Sequence, residues 1–487
     1  MISLEEAKKL SQGYHIIPIS REILSDIRTP LETLRILKGI DRHCYILESV
    51  ENQEIWGRYT FLGYDPKMEI TLKDGELTIK NGEKKVKKTT DPAAEIRSLL
   101  QDYTSPKLEG LPSFTGGLVG YFGYDFVKYS EPSVNLSAKD EEGFKDLDLM
   151  LFDKVIAFDN VRQKIILIAN ARVENLEEEY DRCCREIDEM IELLRYGKPI
   201  AIEPGRATSE FTPLFSEEEY CAMVEKAKHY IYEGDIFQVV LSNRLEADYE
   251  GSLLNVYRLL RTMNPSPYMF YFGSDDMEVA GASPETLVKL EHGVLHTFPL
   301  AGTRRRGADA KEDAALEEEL LADEKERAEH NMLVDLGRND LGKISKFGTV
   351  TVEKYMEIQR FSHVMHIGST VAGQIDDAKY SAIDAVQAVL PAGTLSGAPK
   401  IRAMEIIREL EDNKRGVYGG AIGYIDFAGN LDTCIAIRLA FKKNGKVFVR
   451  SGAGIVADSV PVNEYRECIQ KAKAVVEAIR QGAGGGL

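Results

Sequence analysis

Two acidic segments lying far apart in the chain place the strongest demand on its fold: Asp323-Glu324-Lys325-Glu326-Arg327-Ala328-Glu329-His330 and Asn463-Glu464-Tyr465-Arg466-Glu467. Each sets two glutamates three residues apart, and in a helix that spacing projects both carboxylates from one face. If a fold brings the two helices together, four hard oxygen-bearing groups converge. Such a site attracts Mg²⁺, which takes a few carboxylates and keeps positions open for water and an anionic substrate. A lone Glu-x-x-Glu is usually a solvated helix face, because acidic side chains are mostly exposed. What distinguishes these two is the sequence around them.

The 487 residues suffice for about two to four domains, and 44% hydrophobic with 29% charged residues is the balance of a globular chain with a large core. A net charge of -18 argues against broad electrostatic binding to nucleic acid or acidic lipid. It does not exclude a small anionic substrate, because a metal and a few local cations set the potential of a closed site. The segment Met1-Ile2-Ser3-Leu4-Glu5-Glu6 lacks the basic-then-apolar order of a signal peptide, and no apolar run approaches the roughly 20 residues that span a bilayer. The cysteines at 44, 183, 184, 221, 434 and 468 show neither Cys-x-x-Cys spacing nor a disulfide framework. A reduced, cytoplasmic setting is expected, with Cys183-Cys184 serving packing.

Residues from about 15 to 195 contain strand-like alternation, as in Glu69-Ile70-Thr71-Leu72-Lys73 before the Asp74-Gly75 turn and Val155-Ile156-Ala157-Phe158 before Asp159-Asn160. This block closes with apolar residues at helical spacing from Leu176 to Tyr196. Gly197-Lys198-Pro199, Glu203-Pro204-Gly205 and Thr212-Pro213 read as a connection. A second block opens at Ser216-Glu217-Glu218-Glu219, a capping box that predicts a helix through Tyr232, stopped by Gly234. Strands and helices then mix to about residue 480, before a fraying Gly482-Ala483-Gly484-Gly485-Gly486 tail. The expectation is two regions, 1–197 and 214–480, in a mixed α/β or α+β architecture with large sheets.

Glycine-rich turns lie between and around the acidic segments. Thr297-Phe298-Pro299-Leu300-Ala301-Gly302-Thr303-Arg304 follows a strand-like stretch; Gly393-Thr394-Leu395-Ser396-Gly397-Ala398-Pro399-Lys400 leads into a helix from Ile401 to Leu410; Gly452-Ala453-Gly454 follows a strand from Lys446 to Arg450. Glycine lets a backbone approach a ligand closely, and a helix N-terminus favours carboxylates and phosphates. Each alone is also an ordinary tight turn, and none matches a P-loop or a dinucleotide fingerprint.

Taken in order, these segments resemble the chorismate-utilising enzymes, and within them the large synthase component of anthranilate synthase. The resemblance rests on Gly281-Ala282-Ser283-Pro284-Glu285, Pro299-Leu300-Ala301-Gly302-Thr303, the run Glu329-His330-Asn331-Met332-Leu333-Val334-Asp335-Leu336-Gly337-Arg338-Asn339-Asp340, the loop Gly393 to Lys400, Tyr418-Gly419-Gly420-Ala421, Leu431-Asp432-Thr433-Cys434 and Gly452-Ala453-Gly454. It is dense over residues 215–478 and thinner in the first block, through Leu47-Glu48-Ser49, Arg58-Tyr59 and Gly116-Gly117-Leu118-Val119-Gly120-Tyr121.

The resemblance implies a sandwich of two large sheets with helices outside, and conversion of chorismate to anthranilate and pyruvate with Mg²⁺ as cofactor. By the same likeness Glu329 and Glu467 hold the metal, with Glu326 and Glu464 orienting its waters. Gln238, Thr394 and His366 fall at catalytic positions, His366 as the proton shuttle. Gly302, Thr303, Tyr418, Arg438, Gly452, Ala453 and Gly454 match substrate contacts, a guanidinium being suited to bidentate carboxylate recognition. The role of Lys400 is left open. His363 is expected to be structural, and His330 to support its helix rather than bind metal.

Two positions separate sister reactions. Isochorismate and salicylate synthases resemble this chain but carry lysine where it has Gln238, and a glutamine amide cannot deprotonate water. Aminodeoxychorismate synthases carry a nucleophilic lysine where it has Ala301. Direct attack by ammonia is the reading that remains, with an aminodeoxychorismate synthase component as the alternative and a non-catalytic tryptophan-sensing subunit as a different class. No cysteine has the glycine-flanked setting of a glutaminase nucleophile, so ammonia is expected from a separate glutamine amidotransferase subunit or from free ammonium. Ser49, Pro267, Tyr268 and Met269 match the family's tryptophan-inhibitor segments, although Asn264-Pro265-Ser266-Pro267 is also an ordinary rigid turn.

Overall fold

A computed structural model describes residues 1–49, 57–134, 137–360 and 364–483; His363 lies outside them. Local signals decide many boundaries. Ser216 caps the helix Glu217–Tyr232 through a capping box, with the Glu219 N–H donating to Ser216 Oγ at 3.2 Å and the Ser216 N–H to Glu219 Oε2 at 2.8 Å. Gly234 follows with a φ of +84°, a left-handed conformation that suits glycine. The amphipathic helix is Leu176–Tyr196. The hairpin predicted at Asp74-Gly75 joins Met68–Lys73 to Glu76–Asn81, with φ positive at both turn residues, 48° and 80°.

The strands form two sheets, of 13 and 12 strands, whose named ladders are antiparallel. Each sheet is built from both blocks. In the first, Cys44–Glu48 pairs with Tyr268–Gly273, setting Glu48 opposite Met269 and Leu47 opposite Phe270. In the second, Gly117–Phe122 pairs with Ala421–Asp426, setting Gly120 opposite Gly423. There a Cβ on Gly120 would lie 2.0 Å from the Asp148 carbonyl oxygen. The blocks are therefore halves of one sandwich. The connection between them is itself tied to the first sheet, since Arg206–Ala207 and Thr212–Pro213 pair with Gln238–Glu250.

An aromatic core lies between the sheets. Tyr45 meets Phe152 edge-on at 4.8 Å, Tyr121 stacks with Phe272 at 6.2 Å, and Phe61 meets Tyr424 at 5.9 Å; in each pair the two rings come from different sheets. Such pairs contribute about 0.5–1.5 kcal/mol each beyond burial of their area. Outside the first sheet, Leu194, Leu259 and Ile479 of three helices bury against Leu167, Leu245 and Val449. Outside the second, Val334, Val386 and Ile96 bury beside Leu149 and Leu290.

Two predicted turns are parts of strands. Gly452-Ala453-Gly454 lies inside the ten-residue strand Lys446–Ile455, paired residue for residue with Gln238–Glu250. Small residues here leave room for side chains from neighbouring segments, and Ala453 is fully buried. The stretch after Thr297 is the strand Leu300–Arg305, bulged between Ala301 and Arg304; the extra residues at a bulge re-aim the backbone without ending the strand.

Candidate active site

The acidic segments sit on the helices Glu324–Gly342 and Pro461–Gly482. Asp323 caps the first, accepting from the N–H groups of Lys325 and Glu326. Pro461 starts the second. Burial raises the Glu326 carboxyl above its usual range, and the negative charge of Glu329 adds to this. Burial likewise raises Glu464, with Glu467 pushing the same way and Lys325 of the other helix opposing. The action of Lys325 on Glu464 puts the start of one helix within electrostatic reach of the other. The donor set is all carboxylate, the kind a hard divalent cation takes, and the like-charge repulsion within it is what such a cation would relieve. Among the described residues, the group of three ligand atoms drawn within 4.8 Å of one another lies elsewhere, at His43, Glu69 and Asp275. The Lys80 ammonium already bridges its carboxylates at 2.9 and 3.3 Å.

Gln238 joins the acidic helix to the sheet: its Nε2 donates to Glu329 Oε1 at 3.3 Å, and a Cβ on Gly454 would lie 2.6 Å from that nitrogen. Lys471 ties the second helix to the same strand, pairing with Glu467 at 2.7 Å and donating to the Gly452 carbonyl at 3.2 Å.

His366 stands on the strand Val364–Gln374, and its Nδ1 donates to the Gly302 carbonyl at 2.8 Å, with Thr303 Oγ1 at 3.1 Å. That bond holds the proton on Nδ1, so Nε2 is the basic nitrogen of the neutral ring. Burial lowers the imidazole's pKa, opposed by the bond to Gly302, which favours the neutral form. Gly302, at φ +67°, sits in the bulge, where a Cβ would come within 3.2 Å of Glu326 Oε2. The bulge thus brings the histidine's partner up against the acidic helix.

Arg438 has φ +53°, uncommon for a side-chain-bearing residue and found often at functional sites. Its Nη1 donates to the Lys471 carbonyl at 2.9 Å. Burial lowers its pKa, while nearby Tyr418 raises it. Among the described residues no carboxylate makes an ion pair with this guanidinium, so it is a desolvated cation available to an anion. Tyr418 is buried, its hydroxyl 3.0 Å from where a Gly452 Cβ would stand.

Thr394 donates to Glu285 Oε1 at 3.1 Å. Burial pushes the Glu285 carboxyl up to about 7, with Thr394 and Lys471 pulling the other way. Its place at the end of Gly281-Ala282-Ser283-Pro284-Glu285 does not by itself assign this glutamate a role. An acidic residue just after the apolar strand Met277–Ser283 was the available signal. Lys400 is not a site residue in this geometry: its ammonium is spent on Asp340 at 2.6 Å and the Val389 carbonyl at 3.0 Å. Gly302, Thr303, Gln238, His366, Thr394, Tyr418, Arg438, Gly452 and Gly454 are drawn together with both acidic helices, whereas the Ala453 side chain is buried in the core among Tyr220, Ile406 and Cys468.

The segments holding Ser49, Pro267, Tyr268 and Met269 adjoin one another at the seam between the blocks. Glu48 there is held by Arg261 at 2.5 Å and by the Tyr257 hydroxyl. The Tyr268 hydroxyl contacts Thr286 and Asp432 at 2.9 and 2.8 Å, and Met269 is buried in the core beneath the outer helices. All six cysteines are free thiols.

The pattern of the family described as chorismate binding enzyme matches residues 42–477. Anthranilate synthase component 1 of Aquifex aeolicus (strain VF5) is 46% identical, covering 98% of this chain and 97% of that protein; that of Acetivibrio thermocellus is 45% identical, covering 98% of each. The crystal structure of anthranilate synthase component I from Streptococcus pneumoniae TIGR4 superposes with a TM-score of 0.77 at 38% identity, covering 93% of this chain and 98% of that one.

Proposed function

The chain belongs to the chorismate-binding enzymes, and within them to the anthranilate synthase component 1 family, and from that membership we propose that it turns chorismate and ammonia into anthranilate and pyruvate at the start of tryptophan biosynthesis. The observation that carries this reading is a linked set of contacts: Arg438, half-buried and without an ion-pair partner among the described residues, is tied through Lys471 to Glu467, His366 is tied through Gly302 to the helix of Glu326 and Glu329, and Thr394 holds a carboxyl raised to about 7.

Arg438, with Tyr418 beside it, binds a substrate carboxylate by charge-assisted hydrogen bonds in a desolvated setting. Glu329 and Glu467 would hold Mg²⁺, with Glu326 and Glu464 supporting; when bound, the cation would neutralise the ring carboxylate and draw electron density toward it. Ammonia forms a bond to ring carbon C2 as the C4–O bond breaks. Glu285, whose carboxyl holds its proton up to about pH 7, donates that proton to the departing hydroxyl, which leaves as water. In the second stage His366 Nε2 takes the C2 proton while the C3–O bond breaks and the side chain leaves as enolpyruvate, which becomes pyruvate by taking up the proton that the ammonium group at C2 sheds, so the overall change is a lyase reaction. Gln238, an amide, orients Glu329 and activates no water. Gly302 and Thr303 hold the histidine, and the backbone of Gly452, Ala453 and Gly454 flanks the substrate.

Ammonia comes from glutamine through a separate amidotransferase subunit. Tryptophan acts as feedback inhibitor between Ser49 and Pro267-Tyr268-Met269, where one ligand would join the two halves of the sandwich. The six free thiols suit a reducing cytoplasm. The alternative, an aminodeoxychorismate synthase component, has no lysine to use at Ala301.

Purified protein given chorismate, Mg²⁺ and ammonium salt at alkaline pH should yield equal amounts of anthranilate and pyruvate. A 4-amino product, isochorismate or no turnover rejects the reading. Glutamine in place of ammonium should give nothing without a partner subunit. Arg438→Met should raise KM for chorismate by about 30- to 140-fold, from loss of a charge-assisted bond of roughly 2–3 kcal/mol.

A further inference from the structure

His330 follows Glu329 directly, and both it and Ser369 are fully buried. His330 Nε2 lies 2.6 Å from Ser369 Oγ. Ser369 Oγ also receives the Met356 N–H at 3.0 Å. The Ser369 hydroxyl can serve both neighbours at once, accepting from the Met356 N–H while it hydrogen-bonds Nε2. The other ring nitrogen, Nδ1, has no hydrogen-bond partner among the described residues. A buried, unpaired polar group weakens a fold. An apolar ring of the same size would serve packing better, so packing does not account for a histidine here.

What the histidine joins does account for it. Ser369 lies on the strand that carries His366, and Met356, at φ +55°, lies in the bulge of the neighbouring strand Thr351–Arg360, opposite Ser369. The next helix residue, Asn331, accepts from the hydroxyl of Tyr355 in the same bulge at 2.5 Å. Three consecutive helix residues therefore act in sequence: Glu329 faces the carboxylate cluster, His330 grips the histidine strand, and Asn331 grips the bulge. We propose that the Met356–Ser369–His330 chain of hydrogen bonds sets the position of the metal-carboxylate helix against the His366 strand, making His330 and Ser369 positioning residues for the reaction.

This inference rests on the reading that Glu329 holds the metal, and the test separates the two. Mn²⁺ serves as a spectroscopic stand-in for Mg²⁺, its binding to the whole protein followed by electron paramagnetic resonance, beside kcat and KM measured well below each variant's Tm. Ser369→Ala and His330→Leu should each weaken Mn²⁺ binding and lower kcat by about 10- to 100-fold, the range for residues that orient metal ligands. His330→Gln keeps a hydrogen-bonding amide near the Nε2 position, able to accept or donate, and should stay within about 3-fold of the unaltered protein, and the Ser369→Ala/His330→Leu pair should be no worse than either single change. Folded Ser369→Ala protein with unaltered Mn²⁺ affinity and kcat overturns the proposal, whether or not His330→Leu folds. Glu329→Gln is the control. If it too binds Mn²⁺ normally, the metal assignment has failed; if it alone loses Mn²⁺, only the positioning role has.

Discussion

At the scale of single residues, burial does the chemical tuning. The Glu285 carboxyl, raised from 4.5 to about 7, keeps a proton in the folded protein that the unfolded chain has released between those values. Stability must therefore fall as pH rises from about 4.5 to about 7, and the full cost, on the order of 3–4 kcal/mol at most, is present above pH 7. Glu285→Gln removes that cost. Urea unfolding should find the variant more stable than the unaltered protein at pH 8 by up to this amount, with the gap mostly closed at pH 5; an equal gap at both values refutes the assignment. The same variant should lose turnover, since an amide has no acid proton to give. His366 and Arg438 were legible in the sequence because family motifs mark them. Glu285 was not, because nothing local states that its carboxyl is desolvated.

Among elements, strand Lys446–Ile455 shows how a sequence cue is misread. Glycines after an apolar run suggest a turn, yet they continue a ladder because segments on the site side need the space their side chains would fill. A Cβ on Gly454 would stand 2.6 Å from Gln238 Nε2, and displacing that amide breaks its bond to Glu329. Gly454→Ala, whose φ is not left-handed, should fold with little change in Tm and lose about tenfold or more in kcat/KM. Thermal unfolding beside steady-state kinetics checks this, and wild-type kinetics would sink it. The helices were the most legible elements. Capping residues and apolar periodicity gave Glu217–Tyr232 and Leu176–Tyr196 to within a residue, because those signals are local.

At the scale of the molecule, the two sequence blocks share both sheets. Cutting between residues 197 and 214 leaves Cys44–Glu48 and Tyr268–Gly273, and likewise Gly117–Phe122 and Ala421–Asp426, without their ladder partners. Unpaired interior strands carry unsatisfied backbone groups and bare aromatic faces. Residues 1–197 and 214–480 expressed apart should each aggregate or lack a cooperative unfolding transition, whereas the whole chain should unfold in one; a stable, active 214–480 fragment would refute shared folding. By itself the sequence determined the helices with their caps, the hairpin turns, the types of the reacting side chains and the family, since each is written within short windows of chain. Only the tertiary structure decided that Gln238 reaches Glu329 of one acidic helix and the Gly454 strand that Lys471 of the other also contacts, that strands from both blocks interleave, that Lys400 is spent on Asp340, and that a desolvated glutamate holds its proton near neutrality. Those are outcomes of desolvation and long-range pairing, which depend on residues far away in the chain.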